Sequence, residues 1–190
     1  MSRVSLPTTR FTVDEFFRFV EADALGTTRV ELINGRIYRI PAQGAPHMAA
    51  ITLGNKALSR VAGPGDWIIS QGTLTLNRYS APDPDLLWMP VPLGTPVHEW
   101  PDPLLLIEIS DTTYRKDSGI KLRTYAFHGV PEYWIENLAA DRIEVYRQPR
   151  NPSGRLRDCQ YASVEHYGRG QMIHLLARPT VALAVDELLP

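Results

Sequence analysis

Cysteine is nearly absent from this chain: Cys159 stands alone among 190 residues. A single thiol makes no intrachain disulfide and no cysteine-built zinc site, and such usage fits a reducing compartment. No sign of charge dominates, with 20 Lys+Arg against 21 Asp+Glu and a formal net charge of −1. That balance argues against a protein that coats nucleic acid by bulk electrostatics, but leaves room for an enzyme with one local basic cleft. Long apolar runs are missing as well. None approaches the roughly 20 residues needed to span a bilayer, and the opening residues have no apolar core of the secretory kind. A soluble, cytoplasmic protein is expected. Lysine is scarce, with only Lys56, Lys116 and Lys121 beside 17 arginines. What the chain does have is material for a core. Hydrophobic residues make up 44% of it, which rules out disorder, and its length suits one domain, taken as residues 1–190.

The patterning mixes strands and helices. Thr12 with Glu15 reads as a capping box and Phe11 with Phe16 as its staple, predicting a helix over Val13–Ala24. Residues 29–33 and 36–40 alternate on either side of Asn34-Gly35, the signature of a type I′ hairpin. Helical spacing from Met48 to Ala62 predicts a second helix over His47–Val61, closed by Gly63-Pro64. Four strands are expected next, at Trp67–Ser70, Thr73–Asn77, Asp85–Met89 and Leu104–Ser110. The last is almost wholly apolar, as suits a strand covered on both faces. A helix over Ser118–His128 ends at Gly129, and strands follow at Val130–Glu136 and Arg142–Arg147. Tyr161–His166, Met172–Leu176 and Val181–Leu189 read as further strands with a short terminal helix. Strict alternation is lacking, so the expected fold class is mixed α/β (α+β), a central mixed sheet flanked by helices.

Glu108 stands out because it interrupts that apolar strand. Either a metal, a cation or a donor network holds it, or it lies at the strand end and emerges into solvent; spacing leaves both readings open. Period-two geometry puts Glu108 and Ser110 on one face, with Ile109 buried behind. Asp85, at the entry to the preceding strand in Pro82-Asp-Pro-Asp85, is the natural second carboxylate, with Asp83 as competitor. Two such acids suit one magnesium ion, and a nearby lysine completes a minimal set for hydrolysing a phosphodiester. Lys121 is that candidate, and the bland alternative is a surface pair with Asp117. Tyr133 and Trp134 read as core packing. The basic stretch from Arg142 to Arg157 either contacts phosphates or forms a solvated hairpin face, the latter being the better expectation.

These residues also fall in a familiar order. Glu31-Leu-Ile-Asn-Gly, His47, Pro82-Asp-Pro-Asp85-Leu and Ile107-Glu-Ile-Ser-Asp-Thr-Thr113 are followed by Asp117-x-x-x-Lys121, Tyr125 and Gly129-Val-Pro-Glu-Tyr-Trp134. From about Phe11 to Tyr146 the set resembles the family described as putative restriction endonucleases of the Uma type, a branch of the PD-(D/E)XK nuclease superfamily. The resemblance implies a restriction-endonuclease-like core carrying an N-terminal helix and β-hairpin. It implies Asp85 and Glu108 as carboxylates for Mg2+ or Mn2+. Ser110 stands where the superfamily signature has lysine, and the resemblance implies Lys121 as the relocated replacement. Glu31, His47, Ser110 and Tyr125 fall at the edge of the implied site. His47 reads equally as a helix N-terminal residue with a structural hydrogen bond, and Glu31 as a cross-strand partner of Tyr38.

The leading reading is a metal-dependent endonuclease acting on DNA. The alternative from another class is a catalytically silent module on the same fold that binds nucleic acid or a partner. A metal hydrolase acting on another phosphodiester is the third. A homodimer is expected by analogy with nucleases that cut both strands.

Overall fold

Thr12 and Glu15 close the capping box their spacing predicts. The Glu15 carboxylate accepts from the Thr12 backbone N–H at 2.8 Å, and the Thr12 hydroxyl accepts from the Glu15 N–H at 3.3 Å. In the computed structural model, which describes residues 9–26, 28–96 and 100–190, this box opens α1 (Val13–Glu21). The helix stops short of Ala24 because the chain turns at Asp23, with φ 51°. Phe16 is buried as a staple residue should be, but the Phe11 ring meets Phe19 edge-on, 5.6 Å between centroids. β1 (Val30–Ile33) and β2 (Arg36–Arg39) form the hairpin, with Asn34 and Gly35 at φ 52° and 75°. Both values are the left-handed geometry an Asn-Gly turn supplies, and Glu31 lies opposite Tyr38 as expected.

Helix α2 (Ala45–Val61) begins at Ala45 rather than His47, because Pro46 is well suited to a first turn that has no use for its missing N–H. Six strands then lie side by side in chain order: β3 (Trp67–Ser70), β4 (Leu86–Met89), β5 (Leu105–Ser110), β6 (Glu132–Asn137), β7 (Arg142–Arg150) and β8 (Gln160–Gly168). All neighbours are antiparallel except β5 and β6. That parallel pair needs a crossover, supplied by α3 (Tyr114–Lys116), a π-helical turn over Asp117–Lys121, and α4 (Leu122–Phe127). The helical segment therefore begins before Ser118, the residue at which sequence reasoning starts it.

Thr73–Asn77 is not a strand. Leu74 donates to the Pro82 carbonyl and Leu76 to the Ser80 carbonyl, each at 2.9 Å. The facing segment contains Pro82 and Pro84, which have no N–H to return, so no ladder develops. Asp85 likewise stands just ahead of β4 rather than inside it. Toward the C-terminus, β9 (Met172–His174) and β10 (Ala182–Ala184) pair antiparallel, and a 3-10 turn at Val185–Glu187 follows.

The sheet has two covered faces. On one, Leu105, Ile107 and Ile109 pack with Ala50, Ile51 and Leu58 of α2 and with the C-terminal Val185 and Leu188. On the other, Leu106 joins Tyr125, Ala126, Tyr133 and Ile135. All six residues of β5 are buried, which accounts for its apolar composition. Tyr133 and Trp134 are core residues, as expected. Among the described residues, no helix is long and apolar enough to cross a membrane.

Candidate active site

The alternation of β5 turns Glu108 toward the crossover helix, and that helix meets it with Lys121 and Tyr125. The Lys121 ammonium lies 2.8 Å from Glu108 Oε1, and the Tyr125 hydroxyl donates to the same oxygen at 2.7 Å. Glu108 is 3% exposed and Lys121 2%, so neither emerging strand end nor surface pair describes them. The widened turn helps set this approach. The Tyr133 hydroxyl donates to the Asp117 carbonyl at 3.1 Å, and Leu122 takes up the longer hydrogen bond to that carbonyl. A side chain inserted into the ladder is a recognised cause of such widening.

Asp85 reaches the same region from the start of β4. Its Oδ2 accepts from the Ile109 backbone N–H at 2.8 Å and lies 3.2 Å from His47 Nε2, while Gln43 Nε2 donates to Oδ1 at 3.3 Å. His47 is thus both a first-turn residue of α2 and a partner of Asp85. Glu31 is buried behind the hairpin with two lysines on it: Lys116 at 2.8 Å from Oε1 and Lys121 at 3.0 Å from Oε2. Its cross-strand position opposite Tyr38 and its place at the site coexist.

Two placements differ from expectation. Ser110 is 1% exposed and does not line the cleft; its hydroxyl donates to Asp117 Oδ2 at 2.6 Å. Asp117, a surface partner of Lys121 in the alternative reading, is buried and also accepts from the Thr113 hydroxyl. Tyr125, implied at the site's edge, hydrogen-bonds Glu108 directly. Sequence reasoning gave no role to Lys116, Gln43 or the Ile109 N–H, and treated Asp117 only as a surface partner. The scarcity of lysine was the one signal that pointed toward Lys116.

Burial is the first influence on Glu108, Asp117, Glu31 and Lys121. It pushes the Glu108 carboxyl well above the ordinary carboxylate range, with the negative charges of Asp117, Asp85 and Glu31 adding and Lys121 opposing. Burial raises Asp117 too, against Lys121 and its two hydroxyl donors. Glu31 ends below its ordinary value because Lys121 and Lys116 outweigh its desolvation. Burial alone would lower Lys121, but Glu108, Glu31 and Asp117 reverse the sign and hold it as an ammonium. Its three donors meet Glu108, Glu31 and the Asp83 carbonyl, the last at 3.2 Å, so its hydrogen-bonding capacity is fully used.

These side chains surround a cleft of about 40 Å3 lined by Gln43, His47, Asp85, Glu108, Lys116 and Lys121, among others. A single water needs about 10–15 Å3 by this kind of measure, so the space suits an ion with a few waters and is too small for a nucleotide. Residues 13–186 match the family described as Uma2, putative restriction endonuclease. The chain belongs to the Uma2 family. A crystal structure of a putative nuclease belonging to DUF820 from Anabaena variabilis ATCC 29413 shares the fold, with a TM-score of 0.63 and 16% sequence identity. The alignment covers 94% of this chain and 97% of that one. No curated protein matches the chain.

A nuclease family implies a divalent metal, and the donors can be tested against one. Among the described residues, no group of three or more His, Cys, Asp or Glu is arranged to hold an ion. Magnesium, however, takes one or two carboxylates and keeps several waters. Asp85 and Glu108 line the cleft together, and Glu108 Oε2 makes no hydrogen bond among the described residues. The pair fits such an ion.

Proposed function

We propose that this Uma2-family chain is a divalent-metal-dependent endonuclease that hydrolyses DNA phosphodiester bonds. The observation that carries the reading is the convergence of buried Asp85, Glu108 and Lys121, from three separate elements, on one ion-sized cleft. Asp85 and Glu108 would hold Mg2+ or Mn2+, which when bound lowers the pKa of a water and offsets phosphate charge. The Ile109 N–H and His47 fix the Asp85 carboxylate from one side and Gln43 from the other. Lys121 and Tyr125 fix Glu108 by one oxygen, leaving Oε2 for the cleft. Lys116 lines the same cleft, is more exposed than Lys121 and has one ion-pair partner, Glu31, among the described residues. Its remaining donors can meet a phosphate at the mouth.

The second reading, a silent DNA-binding module, draws support from the saturated hydrogen bonding of Lys121, which leaves that ammonium no donor for an attacking water. Cleavage of circular and linear DNA with Mg2+ or Mn2+ separates the two. Wild type is expected to cut, and Asp85→Asn to abolish cutting. Lys116→Met should slow it about a hundredfold if the ammonium contacts the phosphate in the transition state. Lys121→Met is a poorer probe, because it strands two buried carboxylates and costs about 3–5 kcal/mol of stability. A wild type that cuts nothing with either metal overturns the hydrolase reading.

A further inference from the structure

A second cleft opens at the far end of the same helical crossover. It measures about 380 Å3, within the range of small-ligand pockets and nearly ten times the space beside Asp85. Its walls include Arg10, Asn77, Tyr79, Phe127 and His128, and no carboxylate among the described residues lines it. Each wall has the chemistry of one part of a nucleotide. The Arg10 guanidinium lies 4.5 Å from the Tyr79 ring centroid and donates to the Asn34 carbonyl at 3.2 Å, so a positive charge is held over an aromatic face. Phe127 is half-buried and presents a second aromatic surface. Asn77 Nδ2 lies 3.1 Å from His128 Nε2, an amide and an imidazole joined into one polar edge. Burial lowers the His128 pKa, with Asp102 only partly opposing, so the ring is neutral at pH 7 and can present a donor or an acceptor. Arg78 and Arg155 stand exposed beside the rim, and neither forms an ion pair among the described residues.

We propose that this cleft binds one nucleotide of the DNA strand whose phosphodiester lies at the Asp85–Glu108 cleft, with its phosphate on Arg10 and its base among Tyr79, Phe127 and the Asn77–His128 edge. The proposal rests on the nuclease reading and supplies what the catalytic cleft lacks, a space large enough for a nucleotide. Position supports the pairing. Lys121 and His128 are seven residues apart, two helical turns, and so fall on one side of the crossover helix about 10 Å apart along its axis. Aromatic walls with arginine form a stacking surface that every base can use, which predicts a preference for unpaired DNA over duplex at this cleft.

The test is fluorescence anisotropy with a labelled 20-nucleotide single strand and its duplex, in EDTA so that nothing is cut. Arg10→Ala is expected to weaken single-strand binding severalfold and to flatten the log–log salt slope by about 0.7, the loss of one phosphate contact. His128→Ala should weaken binding of the normal strand more than binding of a strand carrying abasic sites, which a purely electrostatic surface would not show. Circular dichroism checks that both variants are folded. Variants that bind every strand as tightly as wild type overturn the proposal, as does a wild type that binds no DNA. Asp85→Asn separates this proposal from the one it rests on: if it binds with wild-type affinity and only cleavage is lost, both stand. A wild type that binds through Arg10 and His128 yet cuts nothing removes the hydrolase and keeps the cleft.

Discussion

Glu136 is buried with no hydrogen-bond partner on either carboxylate oxygen, and no step proposed for the site uses it. It sits on β6 beneath α2, where a Cβ added to Gly54 would come within 3.7 Å of Oε1 and 2.5 Å of the Leu86 Cδ1 methyl. Burial, and then the charge of Asp85, push its pKa well above the ordinary carboxylate range. A raised carboxyl pKa means the folded state binds the proton more tightly than the unfolded chain. Stability is therefore greatest at low pH on this account, and falls as pH rises from about 4.5 toward the folded pKa. Glu136→Leu, similar in volume and free of polar atoms, should remove that slope. It should raise stability near pH 8 by about 1–3 kcal/mol, a gain in Tm of several degrees. Thermal melts of both proteins at pH 5 and pH 8 decide it: the gap should widen at the higher pH, and a variant that melts lower at pH 8 refutes it.

At the scale of single elements, α1 depends on its first turn. Val13 and Phe16 are the residues it buries against Leu32 and Ala81, and the Thr12 hydroxyl serves both the Glu15 N–H and its carboxylate. Thr12→Ala should cost about 1 kcal/mol and lower Tm by about 2–4 °C in a chain of this size, as read from a thermal melt. The start of this element was legible because its capping box lies within four residues, Thr12 to Glu15. The Asn34-Gly35 hairpin was legible for the same reason, and β5 because a strand covered on both faces must be apolar throughout. Other features depend on chain far away. Thr73–Asn77 has strand-like composition, and what denies it a ladder is the proline content of the segment it faces. The π turn is settled by the Tyr133 hydroxyl, 16 residues on from Asp117. At the candidate site, the Glu108–Lys121 approach was anticipated from the family resemblance, with strand period and helix reach compatible with it. The Glu31–Lys116 pair spans 85 residues, and no local pattern announces it. Asp117 and Lys121 have the spacing of an exposed helix pair, and only the sheet packed over them makes both buried.

For the molecule as a whole, one chain supplies one Asp85–Glu108 cleft, and on the nuclease reading the two strands of a duplex need two. A two-fold pair of chains is the simplest arrangement that presents two clefts to antiparallel strands. The expected result is two chains per duplex, a protein mass of twice 21.4 kDa in addition to that of the DNA, measured by light scattering in EDTA. A strict monomer under those conditions removes the expectation. The lone parallel pairing of the sheet, β5 with β6, has a consequence of its own for the order of assembly. Antiparallel neighbours can zip from a local turn, but these two strands are joined only through the long intervening crossover, so their pairing waits on the closing of a wide loop. That crossover is the length of chain that carries Lys116, Asp117, Lys121 and Tyr125. A half-folded molecule with this seam open thus has Glu108 on one side and its partners Lys121 and Tyr125 still adrift. Closing the seam draws the crossover over the sheet and so brings Lys121 onto Glu108 as the sheet is completed.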